Sequence, residues 1–173
     1  MVPLETYGIG LGNTDSVMPR IPGDKKQKGE KRMSKVAVVY WSGTGNTESM
    51  AMLVEAGAKQ AGAEVSVFQA SEFQENRVDD YDAIAFGCPA MGSEQLEEYE
   101  FQPMFDACKS KLRGKKIGLF GSYSWAEGEW MQIWQEECRN LGANLVSDGV
   151  ICYEAPDDDG IAACIELGKA LVS

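Results

Sequence analysis

The chain has 173 residues, with 16 Lys and Arg against 27 Asp and Glu for a net charge of −11, no histidine, five cysteines and 19 glycines. That length suits one domain with a real core, and 44% hydrophobic with 25% charged residues is ordinary for a globular protein. The missing histidine removes Ser-His and Cys-His nucleophile pairs and the commonest zinc ligand, the acidic balance argues against a nucleic-acid partner, and no apolar run approaches the roughly 18 residues of a membrane span.

Residues 1–32 hold three of the six prolines, show no sustained apolar periodicity and end in the run Lys25-Lys26-Gln27-Lys28-Gly29-Glu30-Lys31-Arg32. They are expected to form a disordered N-terminal extension, or one that is not natively translated. Lys28-Gly29-Glu30 can be encoded by a purine run of the ribosome-binding type just before Met33. Intact mass of the protein from its native host decides this; a full-length N-terminus would sink the second possibility.

From residue 33 the pattern is regular. Val36-Ala37-Val38-Val39-Tyr40 predicts a strand buried on both faces. Met50, Leu53, Val54, Gly57, Ala58 and Ala61 mark one face of a helix, which Gly62 stops. Val65–Phe68 and Ala83–Phe86 read as strands two and three. A second helix has Pro103 at its first position, with Met104, Ala107, Cys108 and Leu112 inward. Ile117–Phe120 is strand four. A third helix carries Trp130, Ile133, Trp134, Cys138 and Leu141 on one face and closes at Gly142. Leu145-Val146 to Val150-Ile151 is strand five. The last helix has Ile161, Cys164, Ile165, Gly168 and Val172 on its stripe, with Asp157-Asp158-Asp159 as cap and first turn. Alternating strands and helices with short links predict an α/β fold: a single doubly wound domain, five parallel strands with helices on both faces, over 33–173. In such sheets ligands sit beyond the carboxyl ends of the strands.

The cysteines, Cys88, Cys108, Cys138, Cys152 and Cys164, are odd in number and lack a C-x-x-C pair, which suits neither a disulfide framework nor a metal cage. Cys138 and Cys164 read as core residues, and Cys88 as a packed strand end. The expected compartment is reducing, the cytoplasm.

The first informative loop is Ser42-Gly43-Thr44-Gly45-Asn46-Thr47, between strand one and helix one. Two glycines let the backbone approach an anion, and hydroxyls at a helix N-terminus can donate to it. No Lys-Ser/Thr follows, so this is no Walker loop, and Glu48 stands where the dinucleotide fingerprint needs a third glycine. A phosphate monoester is expected. With no Lys or Arg in the loop, a bound phosphate keeps its charge. At about 10 Å and an effective dielectric near 20, that charge costs a second one about 1.7 kcal/mol, or roughly 70 mV for a one-electron couple.

Tyr40-Trp41-Ser42-Gly43-Thr44-Gly45-Asn46-Thr47, Gly87-Cys88-Pro89-Ala90-Met91-Gly92-Ser93-Glu94 and Gly121-Ser122-Tyr123-Ser124-Trp125 closely resemble the three FMN loops of flavodoxins, in the short-chain spacing of anaerobic bacteria. The resemblance runs from about Met33 to Ser173, without room for the long insertion of the long-chain branch. It implies that Trp41, Ser42, Gly43, Thr44, Gly45, Asn46 and Thr47 form the phosphate loop, with Ser42, Thr44, Asn46 and Thr47 donating. It also implies that Pro89, Ala90, Met91 and Gly92 run beside the isoalloxazine, with Met91 on one face and Trp125 stacked on the other. Glu94 would accept from the flavin N3–H, and the backbone of Ser122, Tyr123, Ser124 and Trp125 would meet the pyrimidine edge. A turned-over Gly92 peptide would stabilise the neutral semiquinone. The phosphate and the run Glu94, Glu97, Glu98, Glu100 would oppose the anionic hydroquinone, so the flavin would cycle between those two states at low potential.

Taken alone, Met91 reads as an exposed loop residue and Trp125 as a packing aromatic; Trp130 and Trp134 are assigned to the core. The sequence departs from the family where glycines commonly flank the stacking tryptophan, here Ser124 and Ala126, and carries Glu154 where an Asn is frequent. The function implied is a one-electron carrier rather than an enzyme. Its expected partners are transient, basic-patched redox enzymes, with the protein itself a monomer. The alternative is an FMN-dependent NAD(P)H:quinone reductase of the same fold, which would need a second substrate pocket. A cofactor-free interaction module would leave all three loops without a role.

Overall fold

A computed structural model describes residues 32–173. The expectation for residues 1–32 therefore falls almost wholly outside the described residues. The elements are β1 Lys35–Tyr40, α1 Asn46–Gln60, β2 Glu64–Gln69, β3 Ala83–Gly87, α2 Phe101–Cys108, β4 Lys116–Tyr123, α3 Glu129–Asn140, β5 Asn144–Leu145, β6 Val150–Tyr153 and α4 Asp158–Ala170. All strand pairs are parallel, in the order β2-β1-β3-β4, with β5 and β6 both against β4. This is the expected doubly wound sheet, with the strand order switching between β1 and β3.

Strand alternation sorts the core into two faces. Ala37, Val39, Ile84, Phe86, Ile117 and Leu119 meet Phe101 and Phe105 of α2 and Trp130 and Trp134 of α3. Val36, Val38, Ala83, Ala85 and Phe120 meet Met50 and Val54 of α1 and Cys164 and Leu167 of α4. The small side chains on the second face let α1 and α4 come down close. Their backbones then touch: a Cβ on Gly57 would stand 2.0 Å from the Ile165 carbonyl oxygen, and one on Gly168 2.1 Å from that of Val54.

Five expectations need correction. The second helix starts two residues before Pro103, because the Glu97 carboxylate accepts from the N–H groups of Tyr99, Glu100 and Phe101 at 2.8–2.9 Å and sets its first turn. Proline is tolerated there, since first-turn N–H groups have no partner within the helix. Ala107 is exposed, and Phe101 and Phe105 fill the face assigned to it. Ile133 is 63% exposed: the buried stripe of α3 is Trp130, Met131, Trp134 and Cys138, and Ile133 falls off its edge. Ile161 is likewise exposed on α4. Finally, the fifth strand is broken. Gln135 of α3 takes the Gly149 N–H, and Met131 presses where a Gly149 side chain would be, so Val146–Gly149 bends away between β5 and β6.

Candidate functional site

At the carboxyl ends of β1, β3, β4 and β6 the following loops converge on an open cleft of about 580 Å³, a size typical of ligand sites. The loop after β1 supplies Trp41, Gly43, Thr44, Asn46 and Thr47; the loop after β3 supplies Pro89, Ala90 and Met91; the end of β4 supplies Ser122, Tyr123 and Ser124. These are eleven of the residues the three motifs single out.

The loop after β1 is built by hydrogen bonding within itself. Ser42 Oγ accepts from the N–H of Gly45 at 3.1 Å and of Glu48 at 3.2 Å, folding the loop back over the start of α1. Gly45 caps that helix with φ +100°, a conformation glycine adopts at little cost. Ser42 and Gly45 thus shape the loop from behind and lie outside the cleft wall. Thr47, in the first turn, is buried. Its hydroxyl meets Ser122 Oγ at 2.9 Å and accepts from the Ser122 N–H at 3.3 Å. The first and third loops are thereby fixed to one another.

The second loop is pinned at both ends. The Ala90 N–H donates to the Ser122 carbonyl at 3.0 Å, and Met91 and Gln95 exchange two backbone bonds at 2.8 and 3.0 Å. Between them Gly92 has φ +48° with nothing near its missing side chain, and Glu94 has φ +57°. Neither lies in the cleft wall. Glu94 Oε1 accepts from the Trp130 N–H at 3.0 Å, at the start of α3. Its carboxylate therefore ties the second loop to the end of the third. Trp125 follows Ser124 of the wall and is 65% exposed, so it is not a packing aromatic. Ala126 beside it holds φ +65° where glycine is the usual occupant.

Glu154 and Ala155, after β6, complete the wall and were not among the site residues read from the motifs. Glu154 has φ +56°, and its N–H donates to the Tyr123 carbonyl at 2.7 Å. Two signals point here: the sequence carries Glu154 where the resembled family frequently has Asn, and this loop too follows a strand of the same sheet.

Among the described residues no Lys or Arg lines the cleft, and Glu154 is the one charged residue of its wall. Of the acidic run, Glu98 and Glu100 are exposed, whereas Glu97 is buried and spent on the N-terminus of α2. Burial raises the Glu97 carboxyl, but three backbone N–H groups outweigh it and hold it below the ordinary carboxylate range. Cys88 is fully buried, and burial pushes its thiol far up, which suits a packed strand end. Among the described residues no cluster could hold a metal ion. The donor set fits a phosphate monoester carrying a flat ring: hydroxyls at a helix N-terminus, then a wall that includes Trp41, Pro89, Ala90, Met91 and Tyr123.

Comparison with known proteins agrees. The flavodoxin family model matches residues 38–168. The flavodoxin of Megasphaera elsdenii is 47% identical over 138 residues, covering 78% of this chain and 96% of the relative. That of Clostridium beijerinckii is 40% identical over 136 residues, covering 79% and 98%. The solution structure of two-electron reduced Megasphaera elsdenii flavodoxin is similar with a TM-score of 0.74 and 46% identity, over 79% of this chain and 98% of the other.

Proposed function

The chain belongs to the flavodoxin family, and on that premise we propose that the cleft at the ends of β1, β3, β4 and β6 is where it holds FMN. The protein is an electron carrier with FMN as cofactor, working with redox partners, and is not an enzyme. Flavodoxins are themselves among the examples from which the rule placing ligands at the β1/β3 switch point was drawn. The observation that supports this site most is the hydroxyl-rich, cation-free start of α1 opening onto a cleft that Trp41, Met91 and Tyr123 also line.

FMN, when bound, supplies the redox chemistry by taking up and returning electrons at its ring. The residues of this chain divide the remaining work. Thr44, Asn46 and Thr47 hold the phosphate, with Ser42 and Gly45 keeping their loop in shape. Met91 and Trp125 flank the ring by dispersion and burial. Gly92 gives its loop a peptide that can turn over at little cost, and a carbonyl turned that way would be an acceptor for a ring N–H. Glu94 has one carboxylate oxygen on the Trp130 N–H and offers the other to the N3–H of the ring edge. The uncompensated phosphate and the exposed Glu98 and Glu100 disfavour further negative charge on the ring, which lowers the potential of the second reduction. The carrier works as a monomer in the cytoplasm, meeting basic-patched partners briefly. Among the described residues no helix is long and apolar enough to cross a membrane.

An anaerobic reductive titration of the FMN-loaded protein, followed by visible absorbance, tests this reading. A long-wavelength band should rise to a maximum near one electron per flavin and then decay. Direct passage to the fully reduced spectrum would point to a hydride-handling reductase, and failure to bind FMN would discard the site.

A further inference from the structure

The two edges of the sheet are finished differently. On β2 the exposed residues are its polar ends, Glu64 and Gln69. On β6, which pairs only with β4, they are Ile151 and Tyr153, two residues on one face of the strand, with Tyr153 at 60% exposure. The open side of β6 also carries unpaired backbone. The Glu154 N–H donates to the Tyr123 carbonyl of β4, and in a parallel ladder alternate residues turn to the same neighbour. Val150 and Cys152 therefore turn toward β4. Ile151 and Tyr153 turn their N–H and C=O groups outward, where no described residue bonds to them. Natural edges are blunted by lysine, by proline or by a covering segment, and β6 has no lysine or proline.

The charge around this edge is mostly of one sign. Asp148 precedes the strand and Glu154 follows it. Between α3 and the start of β6 lies a cavity of about 470 Å³, in whose wall Glu127, Glu136 and Asp148 face a single guanidinium. That group, Arg139, stands 3.9 Å from Glu136 and 3.8 Å from Asp148. A second copy of this chain would bring the same carboxylates on a molecule of net charge −11, so charge complementarity selects a different occupant.

We propose that β6 is a strand-addition site, taking an extended segment of a redox partner that is apolar at its centre and carries Lys or Arg at both ends. The segment's backbone pairs with the Ile151 and Tyr153 N–H and C=O groups, and its central side chains cover those two residues. Its cations meet Asp148 and Glu136 at one end and Glu154 at the other. The Tyr153 ring stands edge-on to Tyr123 of the cleft wall, with centroids 5.7 Å apart, so the segment docks one side chain away from the cleft. Assigning it to a redox partner rests on the carrier reading; the strand addition itself does not.

The test uses the full chain loaded with FMN and, as probe, a labelled synthetic peptide of alternating valine and threonine with two lysines at each end. Fluorescence anisotropy should show saturable binding that weakens with salt. At saturation the Ile151 and Tyr153 amides should exchange on the order of tenfold more slowly, with those of β2 unchanged. Ile151→Pro removes one edge donor, and Tyr153→Lys opposes the peptide's lysines with the backbone intact; each should weaken binding at least about fivefold. No binding, binding without protection at 151 and 153, protection on β2 instead, or a concentration-dependent dimer in the absence of peptide would each overturn the site. Saturating peptide should also slow reduction by a basic-patched reductase at least about fivefold; an unchanged rate would overturn the assignment to a redox partner. Flavin absorbance before each titration reads FMN loading separately, so a chain that holds FMN but not the peptide overturns the edge and leaves the carrier reading standing.

Discussion

Thr47 shows how one hydroxyl serves both packing and chemistry. Buried in the first turn of α1, it meets the Ser122 hydroxyl and accepts from the Ser122 N–H, joining two loops that are 75 positions apart in the chain. Thr47→Val keeps the shape and deletes the acceptor, so the Ser122 N–H is left short of a partner. The expected cost is about 1–2 kcal/mol of stability and about tenfold in FMN affinity, read by thermal unfolding and by quenching of flavin fluorescence. Unchanged affinity would remove Thr47 from the phosphate site. Glu97 makes a second residue-scale prediction. Its folded value is depressed, so its contribution is complete above its ordinary value of 4.5 and is lost as pH falls through the lower folded value. Glu97→Gln should cost about 1–3 kcal/mol at pH 7 and flatten the acid limb of a stability-against-pH curve below pH 4.5. An unchanged acid limb would show that another carboxylate sets it.

Between elements, the α1–α4 contact decides how tightly the second core face closes. The sequence pattern placed Gly57 and Gly168 on buried stripes, yet periodicity does not distinguish a glycine that merely faces inward from one that admits another backbone. The distances do: 2.0 Å from a Gly57 Cβ to the Ile165 carbonyl leaves no room for a methyl group. Gly57→Ala should therefore force the helices apart and cost about 1–3 kcal/mol, despite the better helix propensity of alanine; a gain in unfolding midpoint would contradict this packing. Ile133 teaches the converse. Its apolar character and its spacing from Trp130 matched the stripe of α3, but the helix rolls toward Met131 and leaves Ile133 in solvent. Stripe width is set by what the helix packs against, which lies outside the local sequence.

At the scale of the whole molecule, charge governs how the protein meets its partners. The net charge is −11, and residues 1–32 carry more basic than acidic groups, so the domain itself is more acidic still. A field of that sign speeds encounter with basic partners and is screened within about 10 Å at 0.1 M salt. Second-order rates of electron transfer from a basic-patched reductase should fall at least about tenfold from low to high ionic strength. Rates independent of salt would remove charge from the docking argument.

The second and third loops of the cleft were legible in the sequence through their family resemblance, and the order of strands and helices, the parallel sense of the sheet and the anion loop after β1 were legible in it directly. Those features follow from local rules: apolar runs for strands buried on both faces, a 3.6-residue period for helices, and glycine and hydroxyl chemistry for an anion loop. Only the tertiary structure shows where the carboxylates of Glu94 and Glu97 point, why the fifth strand breaks over Gly149, and that Glu154 and Ala155 wall the cleft. Each of these depends on which distant N–H, carbonyl or side chain a loop meets when the chain closes. That meeting is fixed by the packing of helices on the sheet, and no short-range pattern encodes it.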